Sequence, residues 1–261
     1  MATIVTFHAH PDDESIATGG VMRKAADEGH RVVLVVATDG GQGEIPEGLL
    51  ADGETLVQRR LAETRAAADI LGVKRLEFLG YQDSGMMGWD ANTEPGSFWT
   101  APVEEAAAKL AAILVEERAD VLTVYDDNGG YGHPDHIQVH RVGMRAAELA
   151  GTPRVYQSTM NREAAIATWT AIAAETGGEV PDFGDREFGK PEAIITARVD
   201  VGAYTPAKRA AMRAHSSQIW DDSFFLKLPD DHFRRSFGTE WFIREGQGPG
   251  ITETDLLAGL T

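Results

Sequence analysis

The chain has 261 residues, 43% of them apolar and 25% charged, with no cysteine and with 41 acidic against 24 basic side chains, a formal charge of −17. The length suits one α/β domain with insertions, the charge repels phosphate backbones and anionic lipid, and the missing thiols exclude disulfides, thiolate catalysis and thiolate metal sites. Apolar runs such as Val32 to Ala37 fall far short of the roughly 20 residues of a membrane-spanning helix, and no basic-then-apolar leader precedes the first strand, so the sequence reads as soluble and cytoplasmic, without nucleic acid or membrane as partner.

In chain order, Ile4 to His8 is mostly apolar, the pattern of a strand buried on both faces. Ser15 to Glu28 predicts a helix closed by Gly29, and "RVVLVVATDGG" a second buried strand running into a glycine turn. Leu56 to Leu71 predicts a helix ended by Gly72, "RLEFLG" a third strand, and Ala106 to Arg118 a further helix. "DVLTVYDDNGGYG" reads as a fourth strand entering a glycine-rich loop, after which Pro134 suits the first position of a helix reaching about Leu149. This alternation predicts βαβ units: a single Rossmann-like α/β domain over 1–261, with a mostly parallel sheet flanked by helices. Residues 1–150 form the core, and 151–261 a less regular extension completing the substrate pocket. Residues 81–101 interrupt the alternation with a long loop of aromatic, Gly and Pro residues. Beyond Gly151, "AIITARVDV" is strand-like and "PAKRAAMRAHSSQI" helical, while "DDSFFLKLPDDHFRRSFGTEWFIRE" carries no assignable pattern.

Two clusters of ionisable residues follow strands. "HAHPDDE" closes the first and "YGHPDH" follows the fourth, so a parallel sheet brings both to the crevice beyond the carboxyl ends of its strands. Three N/O ligands with a water in the fourth position is the pattern of catalytic zinc. His10, Asp13 and His136 can supply the three, with the Pro11 turn bringing the first two together. Asp12 is then free to act as general base on the water. His133, three residues before His136, faces the same side of a helix start and can meet the oxyanion or the leaving amine. Asp135 can hold the tautomer of a neighbouring histidine. "HPDH" alone would read as a structural helix start, with Asp135 favouring the dipole; the two clusters together read as a metal site.

At these residues the sequence resembles the PIG-L/LmbE-like zinc N-deacetylases, which remove acetyl from N-acetylglucosaminyl groups. The motif "AHPDDE" carries the resemblance, with "HPDH" in its extended form "TVYDDNGGYGHPDH" similar to the actinobacterial mycothiol-pathway branch. The resemblance covers roughly residues 3 to 150, with weaker echoes in "YQDSGM" and "RAHSSQ". It implies zinc, or another divalent ion, on His10, Asp13 and His136, with Asp12 as base. It further implies that His133 protonates the leaving amine or supports the oxyanion, that Asp135 tunes it, and that Tyr131 stabilises the oxyanion from a mobile loop. Arg60 and Asp83 resemble sugar-contacting positions. The implied partner is a small amino-sugar substrate; a homo-oligomer is compatible with the sequence. The rival readings are an amidase of the same chemistry on a mycothiol S-conjugate and a non-catalytic protein binding a sugar or nucleotide.

Other positions have plainer readings. His8 shares a strand face with His10 and reads as a hydrogen-bonded core histidine. His140 is one turn beyond His136, outside the resembled pattern, and reads as supporting or surface. His215 in "RAHSSQ" is either at the pocket rim or an ordinary helix-end histidine. Trp89, Phe98 and Trp99 either stack on a sugar or anchor the long loop. "GGQGE" lacks the full dinucleotide fingerprint.

Overall fold

In a computed structural model describing residues 1–180 and 187–260, seven strands form one sheet in the order β3-β2-β1-β4-β5-β7-β6. The strands are β1 (Thr3–His8), β2 (Arg31–Thr38), β3 (Arg75–Tyr81), β4 (Val121–Tyr125), β5 (Arg154–Thr159), β6 (Ala197–Asp200) and β7 (Thr239–Arg244). The first five are mutually parallel, and β7 runs antiparallel to both β5 and β6. Eight helices flank them: α1 (Asp13–Ala17), α2 (Gly19–Asp27), α3 (Leu56–Leu71), α4 (Val103–Glu117), α5 (Pro134–Ala150), α6 (Arg162–Thr176), α7 (Thr205–Ala214) and α8 (Asp230–Phe237).

The central strands are apolar throughout because both faces are covered. Val5, Phe7, Val33 and Val35 pack with α4 and α5 through Leu110, Val139 and Val142. Ile4, Val32, Leu34 and Val36 point the other way, toward Met22, Leu71 and Ala211 of α2, α3 and α7. Strand order reverses between β1 and β4, and that switch opens a crevice at their carboxyl ends.

Helix ends follow local chemistry. Thr55 and Gln58 form a reciprocal capping box at the start of α3, and Gly72, at φ 79°, ends it. The helix predicted over 15–28 is two helices meeting at Thr18. Gly20 and Val21 donate their N–H groups to Glu240 of β7, which caps the start of α2 from across the molecule. A Cβ at Gly20 would lie 2.5 Å from Val201, so only glycine fits beneath it. The helix predicted from Ala106 begins at Val103, directly after Pro102.

More of 151–260 is regular than its pattern suggests. β5 and α6 lie in stretches without a clear signal, and "PDDHFRRSFGTEWFIR" holds both α8 and β7. The helix expected at 206–219 stops at Ala214, and His215 begins a turn. The 81–101 segment is ordered by two 3₁₀ turns and by Asn92, whose amide donates to the Ser84 carbonyl at 2.6 Å and the Met86 carbonyl at 3.2 Å. Among the described residues, no helix is long and apolar enough to cross a membrane.

Candidate active site

Both histidine clusters meet at the β1/β4 switch. β1 delivers the chain into the turn at His10–Pro11, and the β4 loop returns through Gly129–Gly132 to His133, the N-cap of α5, with Pro134 in its first turn. The rings of His10, His133 and His136 lie 4.6–5.3 Å apart, centroid to centroid. Asp13 Oδ2 sits 3.2 Å from His10 Nδ1 and 3.3 Å from His136 Nε2. These spacings suit ligands on one tetrahedral ion, whose edges are about 3.3 Å for bonds of roughly 2.0–2.1 Å.

The hydrogen-bonding pattern fits a metal. His136 Nδ1 pairs with the Gly129 carbonyl at 3.1 Å, so its proton lies there and its lone pair lies on Nε2, which is buried without a hydrogen-bond partner. His10 Nδ1 faces Asp13, while its Nε2 faces Asp135 Oδ2 at 3.1 Å and Asp83 Oδ1 at 3.4 Å. A carboxylate behind a histidine is the usual outer partner of a metal-ligating imidazole. Ser84 fixes Asp135 from behind, donating its N–H at 2.9 Å and its hydroxyl to the two carboxylate oxygens. Burial opposes the charged forms, yet the opposing charges and hydrogen bonds hold Asp13 and Asp83 well below the usual carboxylate range and His10 well above the usual histidine value. His10 also groups with His133 and His136, and with Asp83 and Asp135, as ligand atoms within 4.8 Å of one another.

Asp12 lies beside this cluster with a backbone φ of 136°, a conformation that non-glycine residues rarely adopt. Burial pushes its carboxyl up to about 6, against the opposing charge of Arg60. Arg60 is itself buried and donates to the Pro11 carbonyl at 2.6 Å and the Gly40 carbonyl at 2.7 Å. The residue resembling a sugar contact therefore supports the Asp12 turn while also lining the cleft. Asp83 borders the same cleft, with Oδ1 accepting from Gly85 N–H at 2.8 Å and Oδ2 from Gln42 N–H at 3.2 Å.

His133 Nδ1 accepts the Asp135 backbone N–H at 3.1 Å, which leaves the ring proton on Nε2. Burial and the neighbouring His10 and His136 push it down to about 3. Asp135 thus reaches His133 through its backbone, and its carboxylate turns to His10. Tyr131 lies over both histidines, 5.0 Å from the His136 ring and 6.2 Å from that of His133, on a loop with positive φ at Gly129, Gly130 and Gly132. Burial pushes its phenol well above the ordinary value.

The cleft encloses about 270 Å³, near the lower end of small-molecule pockets, and its outer wall is formed by Ile16, Gln42, Met86 and Trp89. Phe98 is buried against Phe7 and Trp99 lies under Arg141, so these two anchor the loop while Trp89 faces the cleft. His8 is buried between Tyr125 Oη and Thr18 Oγ1, 2.8 Å from each, and His140 pairs with the Tyr125 carbonyl at 3.0 Å. His215 is fully buried, 2.6 Å from Glu14 Oε1. Sequence reasoning missed Glu14 and Ser84 as parts of the site: each bonds a partner tens to hundreds of positions away, and the signals were their places inside "AHPDDE" and "YQDSGM".

The family described as "PIG-L: GlcNAc-PI de-N-acetylase" matches residues 5–147. The 1D-myo-inositol 2-acetamido-2-deoxy-alpha-D-glucopyranoside deacetylase of Streptomyces griseus subsp. griseus is 42% identical, over 98% of this chain and 88% of its own. The protein of the same description from Nocardiopsis dassonvillei is 43% identical, over 97% of this chain and 99% of its own. The N,N'-diacetylchitobiose deacetylase of Pyrococcus horikoshii shares the fold, with a TM-score of 0.59 at 24% identity, over 93% of this chain and 83% of its own.

Proposed function

The chain belongs to the PIG-L family of de-N-acetylases, and we propose that it is a cytoplasmic, metal-dependent hydrolase that removes acetyl from an N-acetylglucosaminyl group carried on a small polar aglycone. The relatives' substrate, an N-acetylglucosaminide of 1D-myo-inositol, is the preferred candidate. The observation that carries the reading is the buried His136 Nε2, without a hydrogen-bond partner and 3.3 Å from Asp13 Oδ2, with Asp12 adjacent.

His10, Asp13 and His136 would hold a divalent ion, zinc by preference for a site of two imidazoles and a carboxylate. When bound, that ion supplies Lewis-acid polarisation of the acetamide carbonyl and acidifies water. Asp12 takes a proton from the attacking water as the carbon–oxygen bond forms. His133 Nε2–H and the Tyr131 hydroxyl donate to the oxygen that gains negative charge, each worth roughly 10²–10³-fold. His133 acts as a donor because its Nδ1 is occupied by the Asp135 N–H and cannot also take a proton. Asp12 then returns its proton to the departing nitrogen as the carbon–nitrogen bond breaks, yielding acetate and the free amine. Asp83 and Trp89 receive the sugar and aglycone at the outer wall, and Arg60 holds Asp12 in place.

The test is acetate release by the zinc-loaded protein from 1D-myo-inositol 2-acetamido-2-deoxy-α-D-glucopyranoside, beside a mycothiol S-conjugate amide. Faster acetate release supports the deacetylase reading. Cleavage of the larger acyl group alone makes the protein an amidase, and cleavage of neither overturns both.

A further inference from the structure

The segment "RAHSSQ" lies outside the cleft, yet it is tied to the site by three carboxylate and carbonyl contacts. His215 follows the last residue of α7, has no solvent exposure, and places Nε2 2.6 Å from Glu14 Oε1. Glu14 is equally buried. Its Oε1 also accepts the Ser15 hydroxyl at 2.7 Å, and its Oε2 accepts the Asp12 backbone N–H at 3.1 Å. The next two residues are latched to α3: the Ser216 hydroxyl and Ser217 N–H both donate to Glu63 Oε1 at 2.9 Å, and the Ser217 hydroxyl donates to Oε2 at 2.6 Å. Gln218 then donates to the Glu44 carbonyl at 3.3 Å, in the loop that carries Gln42.

The Asp12 backbone is the point of interest. Its φ of 136° is strained, and such a conformation persists only where its surroundings over-determine it. Three groups do so: Arg60, gripping the Pro11 carbonyl and the Asp12 side chain; Glu14, gripping the Asp12 N–H; and the Ser15 N–H, which donates to the Asp12 carbonyl at 3.1 Å. Glu14 Oε1 is held by the Ser15 hydroxyl from its own helix and, from a distant part of the chain, by His215.

We propose that His215 is a positioning residue for Asp12, fixing the Glu14 carboxylate that holds the Asp12 backbone in the conformation aiming its side chain into the cleft. This rests on the deacetylase reading for its kinetic test and on the backbone alone for its structural one. It gives the C-terminal region a part in the chemistry without contact with substrate. The buried pair Lys208–Glu240, with Lys208 on α7 and Glu240 of β7 at the start of α2, serves as the comparison, because neither side chain bonds Asp12, Glu14 or His215.

The experiment takes zinc-loaded wild type, His215→Ala, His215→Gln and Lys208→Met, measures acetate release from the inositol glycoside, zinc content and melting temperature, and determines the crystal structure of His215→Ala. His215→Ala should lose kcat by roughly 10- to 100-fold, with KM within about 2-fold and zinc content unchanged. His215→Gln, which still offers an N–H to Glu14, should recover part of that loss. Lys208→Met should lower melting temperature without lowering kcat of the folded protein. In the crystal, Asp12 of His215→Ala should leave its positive φ or lose its contact with Arg60. Wild-type kcat in His215→Ala, a loss explained by missing zinc, or an unmoved Asp12 overturns the proposal. Absence of acetate release by wild type overturns the deacetylase reading instead, and the crystal structure still decides the positioning claim.

Discussion

Arg60 Nη2 lies 3.2 Å from Asp12 Oδ2, the proposed base beside the proposed ligands His10, Asp13 and His136. Because Asp12 touches none of those ligands' lone pairs, an amide in its place should leave the ion bound. Asp12→Asn should retain zinc and lose roughly 10²–10⁴-fold in kcat, the usual worth of a general base. Zinc content by atomic spectroscopy and steady-state acetate release check this; near-wild-type turnover in the zinc-replete variant would sink the assignment.

His136→Ala should abolish metal binding. Losing an outer partner of a ligand costs roughly 10–100-fold in affinity, and losing the ligand itself costs more. Chelation of the wild type should likewise remove activity, with recovery on adding zinc. A His136→Ala protein that still binds zinc tightly would place the site elsewhere.

Gly129→Ala tests the loop that orients His136. The new Cβ would stand 2.5 Å from His136 Cβ and 2.8 Å from the Ile137 nitrogen, at a φ of 62°. The backbone conformation alone costs about 1–3 kcal/mol for a non-glycine residue. Both melting temperature and zinc affinity should fall, since the Gly129 carbonyl holds the His136 tautomer. Unchanged zinc affinity would show that the loop does not set the ligand.

Glu117, at the end of α4, accepts from Arg31 Nη2 at 3.0 Å and Arg75 Nη1 at 2.8 Å. The Arg31 contact, then Arg75, outweighs burial and holds its carboxyl down to about 2. Between that value and the ordinary one near 4.5, the unfolded chain binds a proton that the folded chain does not. The stabilisation is therefore complete above about pH 4.5 and disappears as pH falls through about 2. Urea midpoints for wild type and Glu117→Gln should differ at pH 6 and converge toward pH 2; a gap that widens on acidification would contradict the ion-pair account.

The parts legible in the sequence are those governed by local rules. Val32 to Ala37 declares a strand buried on both faces, and Gly72 and Gly151 mark helix ends where a left-handed residue is needed. The His/Asp cluster was legible because parallel topology converts two strand ends into one place. β7 was illegible because it does not alternate: Trp241, Phe242 and Ile243 run consecutively between Glu240 and Arg244, and its partners β5 and β6 lie far away in sequence. The break at Thr18 escaped notice because its cause, Glu240, is more than two hundred residues distant. Arg60 resembles a sugar contact by position, and only three dimensions show that it also grips the Pro11 carbonyl and the Asp12 carboxylate.

The place of β7 has a consequence for how the chain is made. It lies between β5 and β6, and its Glu240 caps the helix that follows the first motif. On a ribosome adding roughly 5–20 residues per second, β5 waits as a bare sheet edge, and the start of α2 lacks its acceptor, for on the order of ten seconds after β5 has been synthesised. A segment made early is thus completed by one made more than two hundred residues later, and a chain cut short before residue 240 carries His10, Asp13 and His136 without the strand that joins β5 to β6.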